Sequence, residues 1–435
     1  MDTSARVRFE AYMTHLADSL GHADRVSGLR GYCAGLMLPL ERKSVEPMAA
    51  GVDPLHVSAR HQALHHFVAK AGWSDEALLR RVAQWVVPRM GPLEDACWII
   101  DDTGFPKKGR HSVGVARQYC GQLGKQDNCQ VAVSVSLATE DASLPVAWQL
   151  YLPQAWAEDA ARREKAGVPE EVAFRTKNEI ALAQIEHLLA EGAPKLCVLA
   201  DAGYGNDKAF RNRLEELGLQ YVVGVTSSVV VWPPGVRPLP PKRYSGRGRP
   251  PVMPRRTRTR QPVSVLELAR ALPASDYTRV HWRDGTNHRL QTRFAAVRVR
   301  LAGGNSGRAR LQPEQWLLIE WPEGDAEPLK YYLSNLPPEA GIEELAAKAH
   351  RRWRIERDYQ DLKQEFGLGH YEGRGWTGFH HHASLTIAAY GFLVAERLSS
   401  NRDDRAKKNA VFGTQPALPK DYVPRGSPKA HAPRA

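Results

Sequence analysis

Cysteine is scarce: Cys33, Cys97, Cys120, Cys129 and Cys197 are the only five, and none sits in a Cys-x-x-Cys pair. An odd count without paired spacing argues against a disulfide framework or a zinc site. It fits a reducing compartment, so a cytoplasmic location is expected. Long apolar runs are missing as well. The best candidate, residues 385–394, falls short of the roughly 20 residues that cross a bilayer and reads as a buried helix. The opening Met1-Asp2-Thr3-Ser4 lacks the basic-then-apolar pattern of a secretory leader. Acidic residues are in deficit: 48 Asp and Glu face 60 Lys and Arg, a net charge of +12. Such a surplus favours a polyanionic partner. Apolar residues at 43% suffice for a sizeable core, and 435 residues suit two or three domains.

The text changes character along the chain. Residues 7–20 and 58–71 carry apolar positions at three- and four-residue spacing, and Ser74 offers an N-cap before 77–87. Residues 1–90 are therefore expected to form a helical, DNA-binding domain. His61, His65 and His66 lie there and are read as ordinary surface or core histidines. From about residue 95, strand-like runs take over: 96–100, 112–119, 128–138 and 145–152, suggesting an antiparallel meander. Residues 155–192 read as helix, 195–200 as a buried strand, 207–217 as helix and 221–225 as strand. This order predicts an α/β layer fold.

Between Arg237 and Arg260 stand nine Lys or Arg, no Asp or Glu, and many prolines. Such a stretch buries little apolar surface and should be extended. Strand-like text resumes over 278–282, 291–301, 315–320 and 331–333, so 227–335 is read as a basic linker and a β-rich insertion. A long helix is expected over 341–366 and another over 381–398, followed by a disordered tail, 399–435. Adjacent residues on a helix point in different directions, so His380-His381-His382 makes a poor chelate.

Two acidic sites end predicted strands: Asp101-Asp102 after Trp98-Ile99-Ile100, and Asp201 after Cys197-Val198-Leu199-Ala200. A carboxylate at a buried strand's end is held rigidly at a sheet edge, which suits hard cations such as Mg²⁺. Turn and helix-cap aspartates are the plainer alternative. The third piece is Arg351-Arg352-Trp353-Arg354-Ile355-Glu356, continuing to Lys363. On a helix Arg352, Glu356 and Lys363 share one face, so an acid able to bind metal is flanked by cations able to hold phosphate. Trp353 could stack on a base. A solvated salt-bridge helix gives similar spacings.

Together, Ile100-Asp101-Asp102-Thr103-Gly104-Phe105, Leu199-Ala200-Asp201-Ala202-Gly203-Tyr204-Gly205 and Arg352-Trp353-Arg354-Ile355-Glu356 with Lys363 resemble bacterial insertion-sequence transposases of the DDE superfamily. The likeness covers about residues 95–376, including Lys107-Lys108-Gly109 and Gly114-Val115-Ala116-Arg117-Gln118-Tyr119. It is closest to the branch with a Tyr-Arg-Glu-Lys signature. The resemblance implies a ribonuclease-H-like core, formed by 91–226 and 336–398, with the β-rich insertion between the second and third acids. It implies Asp101, Asp201 and Glu356 as catalytic, metal-binding acids, with Asp102 as the alternative first acid. Arg352 and Lys363 match the signature arginine and lysine. The signature tyrosine's position holds Ala349, with His350 a possible substitute.

The implied chemistry is cut-and-paste transposition. Two Mg²⁺, with Mn²⁺ able to substitute, would assist cleavage at element ends and strand transfer into target DNA. The implied partners are inverted-repeat ends and target DNA, bound by a homodimer near the nucleoid, with no membrane involved. Ser245-Gly246-Arg247-Gly248-Arg249-Pro250 contains an Arg-Gly-Arg-Pro core resembling the AT-hook, so Arg247 and Arg249 are candidate minor-groove contacts. The competing readings are a nuclease or resolvase without strand transfer, and a non-catalytic DNA-binding protein derived from a transposase. A carboxylate-pair glycosidase leaves the basic stretch and the Arg352–Lys363 face unexplained.

Overall fold

A computed structural model describes residues 3–251, 255–284, 289–302 and 312–412. Positions 252–254 of the basic stretch and the tail beyond 412 lie outside the described residues. Five helices open the chain: α1 (Thr3–Ala17), α2 (Val26–Met37), α3 (Val45–Val52), α4 (Val57–Ala69) and α5 (Asp75–Val86). Phe9, Tyr12, Met13, Leu16 and Leu20 are buried at the spacing of one helical face. Ser74 caps α5, its side chain accepting from the Ala77 N–H.

Four strands follow: β1 (Cys97–Pro106), β2 (Ala116–Cys120), β3 (Lys125–Ala138) and β4 (Ser143–Leu150). They are not a simple meander. β3 runs antiparallel to β1 along one edge and divides its other edge between β2 and β4. Its 14 residues are long enough to serve both shorter strands. The helix expected over 155–192 is three helices: α6 (Gln154–Ala157), α7 (Ala160–Ala166) and α8 (Lys177–Ala190). Gly167, at φ 63°, ends α7 in the left-handed conformation, and Pro169 prevents its resumption.

Next come β5 (Cys197–Ala200), α9 (Ala202–Gly205), α10 (Lys208–Glu216) and β6 (Tyr221–Val225). β5 pairs parallel with both β1 and β6. Every residue of β5 and β6 is buried, as expected for strands covered on both faces. The remaining strands are β7 (Val230–Trp232), β8 (Val263–Ser264), β9 (Thr278–Asp284), β10 (Arg289–Leu301), β11 (Glu314–Glu320) and β12 (Lys330–Ser334), with α11 (Val265–Ala271) after β8. They extend the same sheet, because β12 pairs antiparallel with β6. The order is β2-β3-β1-β5-β6-β12-β11-β10-β7-β8, with β4 on β3 and β9 on β10. The fold is thus α/β, built on one large mixed sheet.

The helix expected over 341–366 is broken into α12 (Ile342–Arg351) and α13 (Trp353–Gln364). At Arg352 the amide turns back to the His350 carbonyl rather than to the one four residues earlier. The last helix, α14 (Trp376–Phe412), begins earlier and continues well past the expected end at 398. It packs on α2, α4, α5 and β4. Its histidines are structural. His381 stacks on Trp73 at 3.6 Å and bridges the Val68 and Trp73 carbonyls. His380 accepts from the Leu150 N–H, and His382 meets the Tyr32 hydroxyl.

Two glycines bring α9 onto β6. A Cβ on Gly205 would press into the Gly224 carbonyl oxygen and Val223, and one on Gly224 would meet the Ala202 nitrogen and Asp201 backbone. The helix start carrying Asp201 therefore lies directly on the strand backbone. Gly205→Ala is expected to destabilise the protein by about 1–3 kcal/mol through overpacking, read as a lower urea midpoint at unchanged slope.

Candidate active site

β1 and β5 run parallel with Cys97 level with Cys197, Trp98 with Val198 and Ile99 with Leu199. Continued two residues past its last pair, this register brings Asp101 beside Asp201, the residue that follows β5. Contrary to the expectation from sequence, Asp101 and Asp102 do not end their strand: they lie in the middle of β1, which runs on along β3 to Pro106. Level residues on neighbouring strands face the same side, and the next residue faces the other. Asp102 accordingly takes a separate partner: Lys177, the first residue of α8, donates to its Oδ2 at 3.0 Å. Lys177 is held there by a capping box in which Thr176 and Glu179 bond each other's backbone N–H.

Arg352 joins the first and third acids. Its Nη1 donates to Asp101 Oδ2 at 3.0 Å and its Nη2 to Glu356 Oε1 at 2.6 Å. Asp101 is nearly enclosed, 16% exposed, whereas Glu356 is 62% exposed. Burial pushes the Asp101 carboxyl up to about 7; Arg352 opposes the rise, and Asp201 and Asp102 add to it. Burial disfavours the Arg352 charge, but Asp101 and Glu356 hold it above its ordinary range. Asp201 caps α9, its Oδ1 accepting from the Gly203 N–H at 2.9 Å and the Tyr204 N–H at 3.4 Å.

Asp101, Asp102, Asp201, Arg352, Glu356 and Lys363 line one cleft of about 860 Å³. Lys363 donates to the Gly104 carbonyl at 2.8 Å and to Gln122 Oε1 at 3.2 Å, and lies over the Phe105 ring. Burial among these neutral groups lowers it to about 8. Reasoning from sequence missed Lys177, Gln122, Tyr204 and Tyr359, which line the same cleft. The Tyr359 hydroxyl bonds the Ser134 hydroxyl at 2.8 Å beneath the acids. Register points to Ser134, which pairs with Asp101, only once β3 is known to neighbour β1.

Four named residues are not brought to the cleft. Trp353 is absent from its lining, and the Arg354 guanidinium lies over its ring. At 3.6 residues per turn Trp353 lies about 100° around the helix from Arg352. Arg247 and Arg249 are exposed, in a stretch that carries two isolated bridges, Leu239 with Arg255 and Thr257 with Arg260. Nor does His350 replace the missing tyrosine: it stacks on Trp282 at 4.1 Å, 3.3 Å from Glu320, against the insertion strands. Ala349 is buried.

The donor set in the cleft is wholly carboxylate oxygen, which fits a hard divalent cation and not zinc-type chemistry. Among the described residues, no three carboxylate, imidazole or thiol groups converge closely enough to enclose an ion. Glu356, held by Arg352 and largely exposed, is the acid with room to move.

The raised Asp101 pKa has a consequence for stability. A carboxyl whose folded value lies above its unfolded one binds more protons when folded. It therefore favours the fold at low pH and costs stability as pH rises through about 4 to 7. Without added metal, Asp101→Asn should stabilise the protein, by little at pH 4 and increasingly to a plateau above pH 7. The gain there is on the order of a few kcal/mol, measured by urea unfolding across that range.

The profile of a family described as DDE superfamily endonuclease matches residues 15–289, a span that holds Asp101, Asp102 and Asp201 and stops before Glu356. The chain is also similar to a probable transposase for insertion sequence element IS701 from Microchaete diplosiphon, at 34% identity over 197 residues. That match covers 45% of this chain and 47% of the relative, so the chain spans about half the length of the curated protein it matches. With the family matched over more than half of its length, this chain belongs to the DDE superfamily endonucleases.

Proposed function

We propose that this protein is a DNA transposase that cleaves phosphodiester bonds at the ends of an insertion sequence and joins them to a target. The observation that carries this reading is the convergence of three distant segments on one cleft, with Arg352 linking Asp101 to Glu356 and Asp201 lining the same cleft. We take Asp101 over Asp102 as the first acid because Arg352 ties Asp101 to Glu356, whereas Asp102 pairs with Lys177. The same reading takes β3, β1, β5 and β6 with their helices as a ribonuclease-H-like core, 227–335 as the β-rich insertion and 1–90 as a DNA-binding unit. The similarity to a probable insertion-sequence transposase supports it.

Asp101, Asp201 and Glu356 would hold two Mg²⁺ or Mn²⁺, which would stabilise the attacking and leaving oxygens of an in-line displacement. Arg352 opposes the burial that favours the protonated Asp101 carboxyl, and it tethers Glu356. Lys363, bonded only to neutral oxygens among the described residues, is placed to hold a phosphate. Lys177 keeps Asp102 neutralised outside the triad. Glu356→Gln is expected to abolish metal-dependent nicking of DNA carrying the element's own ends while leaving its binding intact. Cleavage retained in a gel assay sinks the acid assignment; cleavage without strand-transfer product identifies a nuclease instead.

Arg247 and Arg249 are proposed to hold DNA outside the cleft. If they contact phosphates, replacing both with Ala weakens binding to every sequence. The slope of log affinity against log salt should then flatten by about 0.9 for each phosphate no longer neutralised. A weakening confined to A·T-rich duplexes points to minor-groove insertion. Fluorescence-anisotropy titrations at several salt concentrations separate the two.

A further inference from the structure

One surface beside the acids has no role in the chemistry above. The end of β2 and the turn at 121–124 that leads to β3 form a lip of the cleft through Tyr119, Gly121 and Gln122. Tyr119 is 58% exposed and Leu123 41% exposed, two of the few large apolar side chains that are exposed among the described residues. On β2, Arg117 is exposed on the same strand face as Tyr119.

The turn is held firmly to the acid-bearing strand. Gly104 of β1 has no side chain, and a Cβ there would strike the Cys120 sulfur and crowd the turn's backbone. Lys363 ties the two together by bonding the Gly104 carbonyl and Gln122 at once. Gly124, at φ 63°, lets the chain reverse tightly into β3. An exposed aromatic ring thus stands next to a firmly held turn, beside the place where a phosphate would react.

We infer that Tyr119 stacks on an unpaired nucleobase next to the reacting phosphate, so that the protein recognises DNA locally opened at the cleavage point. The inference rests on the reading of the cleft as a DNA site. An aromatic ring engages any base through its π-face, at no electrostatic cost beside the acids. Arg117, on the same face, supplies a positive charge for the adjoining backbone. A second protein surface fits less well, because a partner seated on the lip would obstruct the cleft.

The test uses the full chain and synthetic duplexes that are either fully paired or carry one mismatched pair. 5-Iodouracil at the mismatch should cross-link on irradiation to the tryptic peptide 118–125, released by cleavage after Arg117 and Lys125. The wild type and Tyr119→Phe should prefer the mismatched duplex. Tyr119→Ala should bind it about fivefold or more weakly, the low end of base–aromatic stacking, and show no preference. Cross-links confined to other peptides, or unchanged binding by Tyr119→Ala, overturn the inference. So does a shift in the sedimentation of free Tyr119→Ala, which marks the ring as a contact between protein chains. These readouts do not require cleavage. A cross-link at 118–125 in a protein that never cuts leaves the inference standing and removes the catalytic reading; cutting without that cross-link does the reverse.

Discussion

The parallel pairing of β1 with β5 sets the geometry of the whole site. Its register makes Cys97 level with Cys197 and, continued past its last pair, brings Asp101 beside Asp201, the residue that follows β5. Both strands are buried along their apolar lengths, so neither can slide without exposing one apolar set and burying the carboxylates. Burial that fixes the acids also penalises their charge, as the raised Asp101 carboxyl records. The surrounding residues answer that penalty. Arg352 is the partner of Asp101, Lys177 of Asp102, and backbone N–H groups serve Asp201.

These compensations are unequal, and the inequality is informative. Asp102 has a lysine to itself, while Asp101 and Glu356 share one guanidinium. Lys363, the other cation in the cleft, faces a carbonyl and an amide oxygen instead of a carboxylate. Four acids and three cations therefore stand close together without pairing off. A protein optimised for stability alone would remove such a cluster, since buried charge short of partners is costly. Sites that act on charged substrates retain that cost, because the same groups engage the ligand.

Much of this was legible in the sequence, for physical reasons. The apolar runs before Asp101 and Asp201 both mark buried strands, but only β5 stops at its acid, while β1 continues through Asp101 and Asp102 to Pro106. The spacing of Arg352, Glu356 and Lys363 places them on one helical face, and all three line the cleft. What was not legible depends on contacts between distant segments. Nothing local shows that β3 lies beside β1, so Ser134 and its bond to Tyr359 were hidden. The break at Arg352 lies inside a stretch of good helix formers without Gly or Pro, so propensity gives no warning of it. His350 looks like a stand-in for a missing tyrosine until Trp282, far off in sequence, is seen to be its stacking partner. Lys177 escapes notice because its capping box lies inside a stretch that reads as one longer helix.

The helical face bearing Arg352, Glu356 and Lys363 can act as a unit only if α13 cannot rotate, and its rear side explains why it does not. Asp358 lies about 200° around the helix from Glu356. It is buried, and it accepts hydrogen bonds from Ser143 of β4 and Tyr390 of α14, both at 2.7 Å. Burial raises its carboxyl to about 6, a cost that these two bonds only partly offset. Asp361, also buried, adds ion pairs to Arg357 and Arg397. An apolar residue at 358 would avoid the penalty but would slide against its neighbours. Two directional bonds from different elements fix the helix's angle, and with it the direction of the opposite face. The same α14 that supplies Tyr390 packs against α2, α4 and α5. The N-terminal helices therefore bear on the site mechanically: they steady the helix that steadies α13, and through it the guanidinium joining the first acid to the third.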